Sequence, residues 1–293
     1  MAWKKEKNEE QIEAKQQRDI DKELSKSNSK DKDSAKTHGE ILRNQIIDAL
    51  ETYDKSYQSL FTSSLTAGLE IGFSYLMLCS LYFFLIGKVD DSSIIRIVSL
   101  VYPVGFILVV LGQSILFTEQ TALLTLPVLN NKRTVGSMLK VWGVVIAGNL
   151  VGGYVIAGIL LWLGPHLGIF TQEVVVTIAE HVLHAETHVI FVSAIVAGWL
   201  MGLLSWLLAS SRDTISRIVM IFIITAVMSF TGLHHSIIGS VEIFSGMLSS
   251  PNISAWDYIS FQSTALLGNA FGGAIFVALL KYRAFVFNII AKN

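Results

Sequence analysis

Between Met228 and Met247 two histidines and a glutamate, His234, His235 and Glu242, interrupt a run that is otherwise apolar or small. A second polar cluster, Gln113 to Thr121, sits in another apolar run and carries Phe117, Thr118 and Glu119. Polar and ionisable groups at membrane depth are costly and mark solute or proton pathways. Histidine is the side chain whose proton moves near neutral pH. For a small carboxylic acid the magnitudes choose a route: protonating an acid of pKa ~4 at pH 7 costs roughly 4 kcal/mol. Carrying the unpaired anion through an apolar medium costs tens of kcal/mol. A solute passing apolar constrictions as the neutral acid takes the cheaper route, and His235 is the expected proton-exchanging group, with His234, Ser236 and Glu242 beside it. Glu242 can equally be satisfied by an ion pair or a loop hydrogen bond, and Glu70 in an earlier apolar run invites the same two readings.

Other chemistry has less support. His181-x-x-His184-x-x-x-His188 with Glu180 and Glu186 has a spacing that one helix could use to hold a metal, but a protonatable vestibule or a solvated loop fits as well, and no metal is assigned. The single cysteine, Cys79, excludes an internal disulfide and a thiolate cluster. No nucleotide loop, nucleophile elbow or zinc-protease motif occurs, so neither an enzyme nor a cofactor is expected. No basic patch points to nucleic acid.

The elements that position these groups are membrane helices. Of 293 residues 52% are hydrophobic and mean hydropathy is +0.55, too apolar for an ordinary soluble domain. Six runs approach the ~20 residues a span requires: 60–87, 94–129, 141–163, 189–209, 215–248 and 264–280. The second and fifth are too long for one span and contain the two polar clusters, which predicts broken helices. A break frees backbone groups that lipid cannot satisfy, so it must be buried or line a cavity.

An internal repeat pairs the two breaks. Gly148-Asn149-Leu150-Val151-Gly152-Gly153 matches Gly268-Asn269-Ala270-Phe271-Gly272-Gly273 at an offset of 120, as do Gly112 and Gly232; Ala67-Gly68 with Gly72 matches Ala197-Gly198 with Gly202 at 130. Three spans per copy reverse the second copy in the bilayer, giving an inverted-topology repeat over about 60–163 and 189–280. The small residues let helices approach closely, and Asn149 and Asn269 are expected to hydrogen-bond between helices.

The remainder is charged. Residues 1–58 hold 12 of the 22 Lys and Arg and 13 of the 23 Asp and Glu. Residues 1–38 read as disordered or a solvated helix, and Ile41 to Tyr57 as an amphipathic helix against the membrane or under the bundle. No apolar stretch follows the charged start, so no cleavable signal peptide is expected. Lys132, Arg133, Lys140, Arg212, Arg217, Lys281, Arg283 and Lys292 fall in connections and the tail on one side, whereas the expected outer loops 164–188 and 249–263 hold no Lys or Arg. The positive-inside rule then puts both termini in the cytoplasm. The chain divides into 1–58, a transmembrane unit over 59–285, and a tail, 286–293.

Leu116-Phe117-Thr118-x-x-Thr121, Trp142 followed by Gly148-Asn149, His235-Ser236-Ile237 and Gly268-Asn269 resemble the signatures of the formate/nitrite transporter family over about residues 55–285. Glu119 after the loop threonine and Gly239-Ser240-Val241-Glu242 after the histidine are similar to its YfdC-like inner-membrane branch. The resemblance implies an all-α, aquaporin-like fold of six helices with the second and fifth broken. It also implies a homopentamer in the inner membrane with one pore per protomer, and small monovalent anions or their conjugate acids as substrates, moved passively or with protons. Thr118 falls on the family's loop threonine, His235 on its central histidine, and Phe117 on a constriction. Gly198 stands where transporting members often carry asparagine, and His181, His184 and His188 lie where a lysine is common. A non-transporting scaffold, or a path for a neutral or cationic solute, is the alternative.

Overall fold

The structure is a computed structural model that describes residues 2–26 and 35–290. Two helices, α1 (Ala2–Lys26) and α2 (His38–Asp54), precede the bundle. The first repeat comprises α3 (Tyr57–Leu85), α4 (Asp91–Val98) with α5 (Pro103–Leu111), α6 (Phe117–Leu123) with α7 (Thr125–Leu129), and α8 (Val135–Leu167). A linking helix, α9 (Gln172–Leu183), leads to the second: α10 (Thr187–Ser210), α11 (Thr214–Phe230), α12 (Ser236–Ser249) and α13 (Ala255–Phe271), which runs through a π-helical stretch, Gly272–Leu279, into α14 (Leu280–Ile290). Among the described residues five helices are long and apolar enough to cross a membrane, and α11 and α12 are shorter apolar helices.

Both breaks are built the same way. α5 ends with Gln113 at φ 58° and α11 with Gly232 at φ 68°, left-handed residues that cannot continue a right-handed helix. Around the first, Gly112 N–H donates to Leu108, Gln113 N–H to Val110 and Ser114 N–H to Val109; around the second, Thr231 N–H donates to Val227, Gly232 N–H to Ser229 and Leu233 N–H to Met228. Every pair differs by 119. The expected match of Gly112 with Gly232 is therefore one residue out. Glycine is the unstrained choice at a left-handed site, so the sequence comparison followed the glycine, but the first copy places a glutamine there.

The long helices pair by close approach at small residues. A Cβ on Gly68 would stand 2.2 Å from the Asn149 carbonyl oxygen, and one on Gly198 2.2 Å from that of Asn269. A Cβ on Gly148 would meet Ser64 and Phe61, and one on Gly268 would meet Ala194 and Phe191. Thus α3 against α8 is repeated as α10 against α13. The short half-helices also cross over: α6 packs on α10 and α13 as well as on α8, and α12 on α3 and α8 as well as on α13, so each break is enclosed by both repeats.

Three expectations need correction. The 164–188 connection, read as an outer loop, contains α9, which buries Val174, Val175, Ile178 and Ala179 against α12; it is too short for a span, and its spacing of apolar residues suits packing on a neighbour. The sixth span starts at Ala255, nine residues before Thr264, because a Ser254/Asp257 capping box begins the helix among polar residues. In the N-terminal segment Ala2–Lys26 is helical, and Ile20 and Leu24 are buried in one cluster with Phe285 and Ile289, so two apolar positions four apart dock a helix whose composition reads as solvated. Residues 27–34 lie outside the described residues.

The basic connections share one end of the bundle with α1 and α2. Arg133 pairs with Asp54 at 2.6 Å and Lys132 with Asp21 at 3.2 Å. Lys36 donates to the Ala209 carbonyl at 2.6 Å, and Tyr53 to that of Leu124 at 2.8 Å.

Candidate functional site

The two half-helices that follow the breaks begin next to one another. Thr118, in the first turn of α6, and His235, the residue before α12, are both buried, and Thr118 Oγ1 lies 2.7 Å from His235 Nε2. Two asparagines hold the loops in this position. Asn149 Nδ2 donates to the Ser64 and Ile115 carbonyls at 2.7 and 2.9 Å, and its Oδ1 accepts from Phe117 N–H at 2.8 Å. Asn269 repeats the pattern with the Ala194 and His234 carbonyls at 2.8 and 3.1 Å and Ser236 N–H at 2.8 Å. Each amide meets both donor and acceptor needs of an opened backbone at once. Gly148 and Gly268, one residue earlier, let the neighbouring helix close enough for this.

The proton on His235 can be located by elimination. Ile237 N–H donates to Nδ1 at 3.3 Å, so Nδ1 is the acceptor and the neutral ring carries its hydrogen on Nε2. That hydrogen points to Thr118 Oγ1, which leaves the threonine hydroxyl hydrogen to be given onward. Phe106 lies edge-on to the imidazole with ring centroids 5.1 Å apart, and walls the contact with an apolar face. Phe117, buried at the start of α6, stands edge-on to Trp142 at 5.7 Å. His234 is tied at both ring nitrogens: Nε2 lies 3.2 Å from the Val182 carbonyl and so donates to it, while Nδ1 lies 2.8 Å from Ser193 Oγ and accepts. Ser236 is buried, its N–H taken by Asn269 and its hydroxyl without a partner.

A cavity of about 270 Å³ opens on one side of this contact, lined by Tyr102, the Gly232–His235 break, α9 and α12. His235, Ile238, Gly239 and Glu242 all reach it, at the i, i+3, i+4, i+7 spacing of a single helical face. His181 and His184 line its α9 wall. The histidine triplet does not share one helix: α9 ends at Leu183, and His188 lies on α10 beside Glu186, 3.3 Å away. Among the described residues no three metal-ligating side chains converge.

Glu119 is not among the residues that line this cavity. By the 119-residue correspondence it occupies the place of Ile238, a cavity-lining residue, in the inverted copy. It is half-buried on α6, and the charges acting on it are Asp48 of α2 and Arg217 of α11. Glu70 hydrogen-bonds to Ser114 beside the first break, with Oε2 buried and unpartnered.

Sequence reasoning did not single out Phe106, Tyr102 or Ser193. The first two look like ordinary apolar filling in a hydrophobic span, and Ser193 lies 41 residues from the histidine it anchors.

A family model described as formate/nitrite transporter matches residues 39–283. The chain belongs to the formate/nitrite transporter family. Among its relatives is the inner membrane protein YfdC of Escherichia coli (strain K12), 30% identical over 246 residues that cover 80% of this chain and 74% of the relative. Two solved structures share the fold. An FNT family ion channel superposes with a TM-score of 0.75 at 22% identity, covering 83% of this chain and 98% of the other. A pentameric formate channel with formate bound does so with a TM-score of 0.68 at 19% identity, covering 78% and 98%. The aquaporin-like, all-helical fold with two broken helices is thus that of formate/nitrite transporter proteins.

Proposed function

We propose that this protein is a channel or transporter for a small monovalent anion or its conjugate weak acid, with its pathway through the Thr118–His235 contact. The observation that carries this reading is that contact itself. Two oppositely oriented half-helices bring a hydroxyl and an imidazole together at the junction of the repeats, inside a fold shared with a formate channel. His235 Nε2–H donates to Thr118, and Thr118 offers its hydroxyl hydrogen to the solute. Phe106 and Phe117 keep the surroundings apolar, which favours passage of the neutral acid over the bare anion.

Thr118, His235 and Phe117 form the narrow part of the path in this reading. His234, Ser236 and Glu242 belong to the cavity side and Glu119 to the other mouth. Asn149, Asn269, Gly148 and Gly268 hold the two breaks. A neutral His235 with Nδ1 occupied orients and polarises Thr118, and giving up its own proton would leave an imidazolate. The proton that accompanies the solute therefore comes from another group. Five copies assemble as in the related channel. The end carrying α1, α2 and the basic connections faces the cytoplasm, and the α9 end faces outward, in accord with the positive-inside rule.

The test is initial uptake of formate, nitrite, acetate and hydrosulfide by proteoliposomes. Uptake of at least one above protein-free vesicles supports the reading; rates equal to protein-free vesicles for all four at every pH reject it.

A further inference from the structure

The weak-acid reading requires a proton source that His235 does not supply, and the α9-side cavity contains a candidate. Glu242 lies on α12, two turns beyond His235 on the same face, and lines that cavity; seven residues of helix put it about 10 Å from the histidine. The residue is only 7% exposed. Among the described residues no hydrogen bond or ion pair reaches it, and no lysine or arginine lines the cavity. A buried carboxylate that serves the fold is normally held by a cation or by donors. This one is held by neither and faces open space.

From these observations we propose that Glu242, as the neutral carboxylic acid, is the outer proton donor of the pathway, and that it restricts traffic to anions of weak acids. The inference rests on the transport reading above. An arriving carboxylate accepts a hydrogen bond from Glu242–COOH, the proton transfers, and the solute continues to Thr118 as RCOOH while Glu242 becomes the carboxylate. The proton is restored from outer water through the mouth of the cavity. Each cycle consumes one outer proton and one anion and delivers one neutral acid. An anion of a strong acid, such as chloride or nitrate, cannot take the proton and meets an apolar constriction with its charge intact.

The groups that face Glu242 fit a proton store. His181 and His184 of α9 and His234 and His235 of the break line the same cavity. Tyr75 and Cys79 of α3 and Tyr102 before α5 are within electrostatic reach. On the far flank of α12 Tyr154 and Tyr258 are bonded to one another, and Tyr258 to Ser240 at 2.7 Å. All are neutral or proton-bearing groups; none is a fixed cation that would hold Glu242 ionised. Two histidines on the outer wall give the cavity a route for returning protons near neutral pH.

The experiment measures formate and chloride uptake by proteoliposomes between pH 5 and pH 8 with wild type, Glu242→Gln and Glu242→Asp, after each is shown to elute as the same oligomer. Glutamine keeps the size and can donate a hydrogen bond but cannot transfer a proton. The expected result for Glu242→Gln is at least a tenfold loss of formate uptake at pH 6, a flattened pH profile, and chloride uptake at pH 8 at or above that of wild type. Aspartate should retain the pH profile at reduced rate. If wild type moves formate and Glu242→Gln gives a superposable pH profile, the donor role is wrong and the transport reading stands. If wild type moves none of formate, nitrite, acetate and hydrosulfide above protein-free vesicles, both are wrong.

Discussion

Thr118 Oγ1 and His235 Nε2 lie 2.7 Å apart, although the two residues are 117 positions apart and reach each other from half-helices of opposite repeats. Each is fixed from behind, the histidine by Ile237 N–H and the α6 start by Asn149. If the pair acts as one unit, losses at the two positions do not add. Thr118→Val keeps the shape and removes the hydroxyl, leaving a buried imidazole N–H unpaired at a cost of about 1–3 kcal/mol. Formate uptake should fall at least tenfold in Thr118→Val and in His235→Ala, and no further in the double variant. Multiplying losses would show that the two act separately.

Asn149 and Asn269 each make three hydrogen bonds to opened backbone. Alanine at either position should lower stability by about 2–4 kcal/mol, since buried carbonyls and an N–H lose their partners. Aspartate should not rescue, because it lacks the amide hydrogens that reach Ser64 and Ile115, or Ala194 and His234. Thermal unfolding in detergent tests this. An unchanged melting temperature for Asn149→Asp would contradict the clamp.

At Gly198 a methyl group would press on the Asn269 carbonyl at 2.2 Å, whereas Gly158 has nothing within 4 Å of its Cβ position. Gly198→Ala should sharply reduce the yield of folded oligomer. Gly158→Ala should be neutral or stabilise by up to about 1 kcal/mol, as expected for a helical glycine replaced by alanine. Equal yields for the two would refute the close approach of α10 and α13.

The docking of α2 should depend on pH through His38. Burial pulls its imidazole below the ordinary 6.5, opposed by its bond to the Lys281 carbonyl, 3.1 Å away. A base with a lowered folded pKa is stabilising while neutral, so this contribution is present above pH 6.5 and is lost as pH falls below it. Asp48, raised by its own burial, contributes with the opposite sign, so the variant is needed to isolate the histidine. Hydrogen exchange of α2 should accelerate between pH 7 and pH 5.5 in wild type, and less so in His38→Phe, which keeps the ring contacts with Trp206 and Phe285. Equal acceleration in both would remove His38 from the account.

The sequence carries the architecture because the bilayer constrains it. Six apolar runs, two of them overlong with polar interruptions, and glycine-asparagine pairs at a constant offset are the residues that spanning, breaking and close packing require. The register of the breaks was less legible, since Gln113 takes a left-handed conformation that a glycine match conceals. The helical character of 172–183 was hidden by its shortness, and the docking of 2–26 through Ile20 and Leu24 by its charge. Within the candidate site, the residues with unusual chemistry stood out against an apolar background, whereas Phe106, Tyr102 and Ser193 act through position alone. His234 and His235 are adjacent and chemically identical in sequence. The motif resemblance favours His235, and the partners give the physical difference: His234 is bonded at both nitrogens to Ser193 and Val182, and His235 faces Thr118.

The central claim is that a weak acid crosses with a proton through the Thr118–His235 contact. The most direct test is the ratio of protons to formate entering proteoliposomes that contain the wild-type protein, followed with an internal pH dye and labelled formate. The account predicts uptake above protein-free vesicles with one proton per formate, and no dependence on an imposed membrane potential. Formate entry without protons, driven by membrane potential, would contradict it.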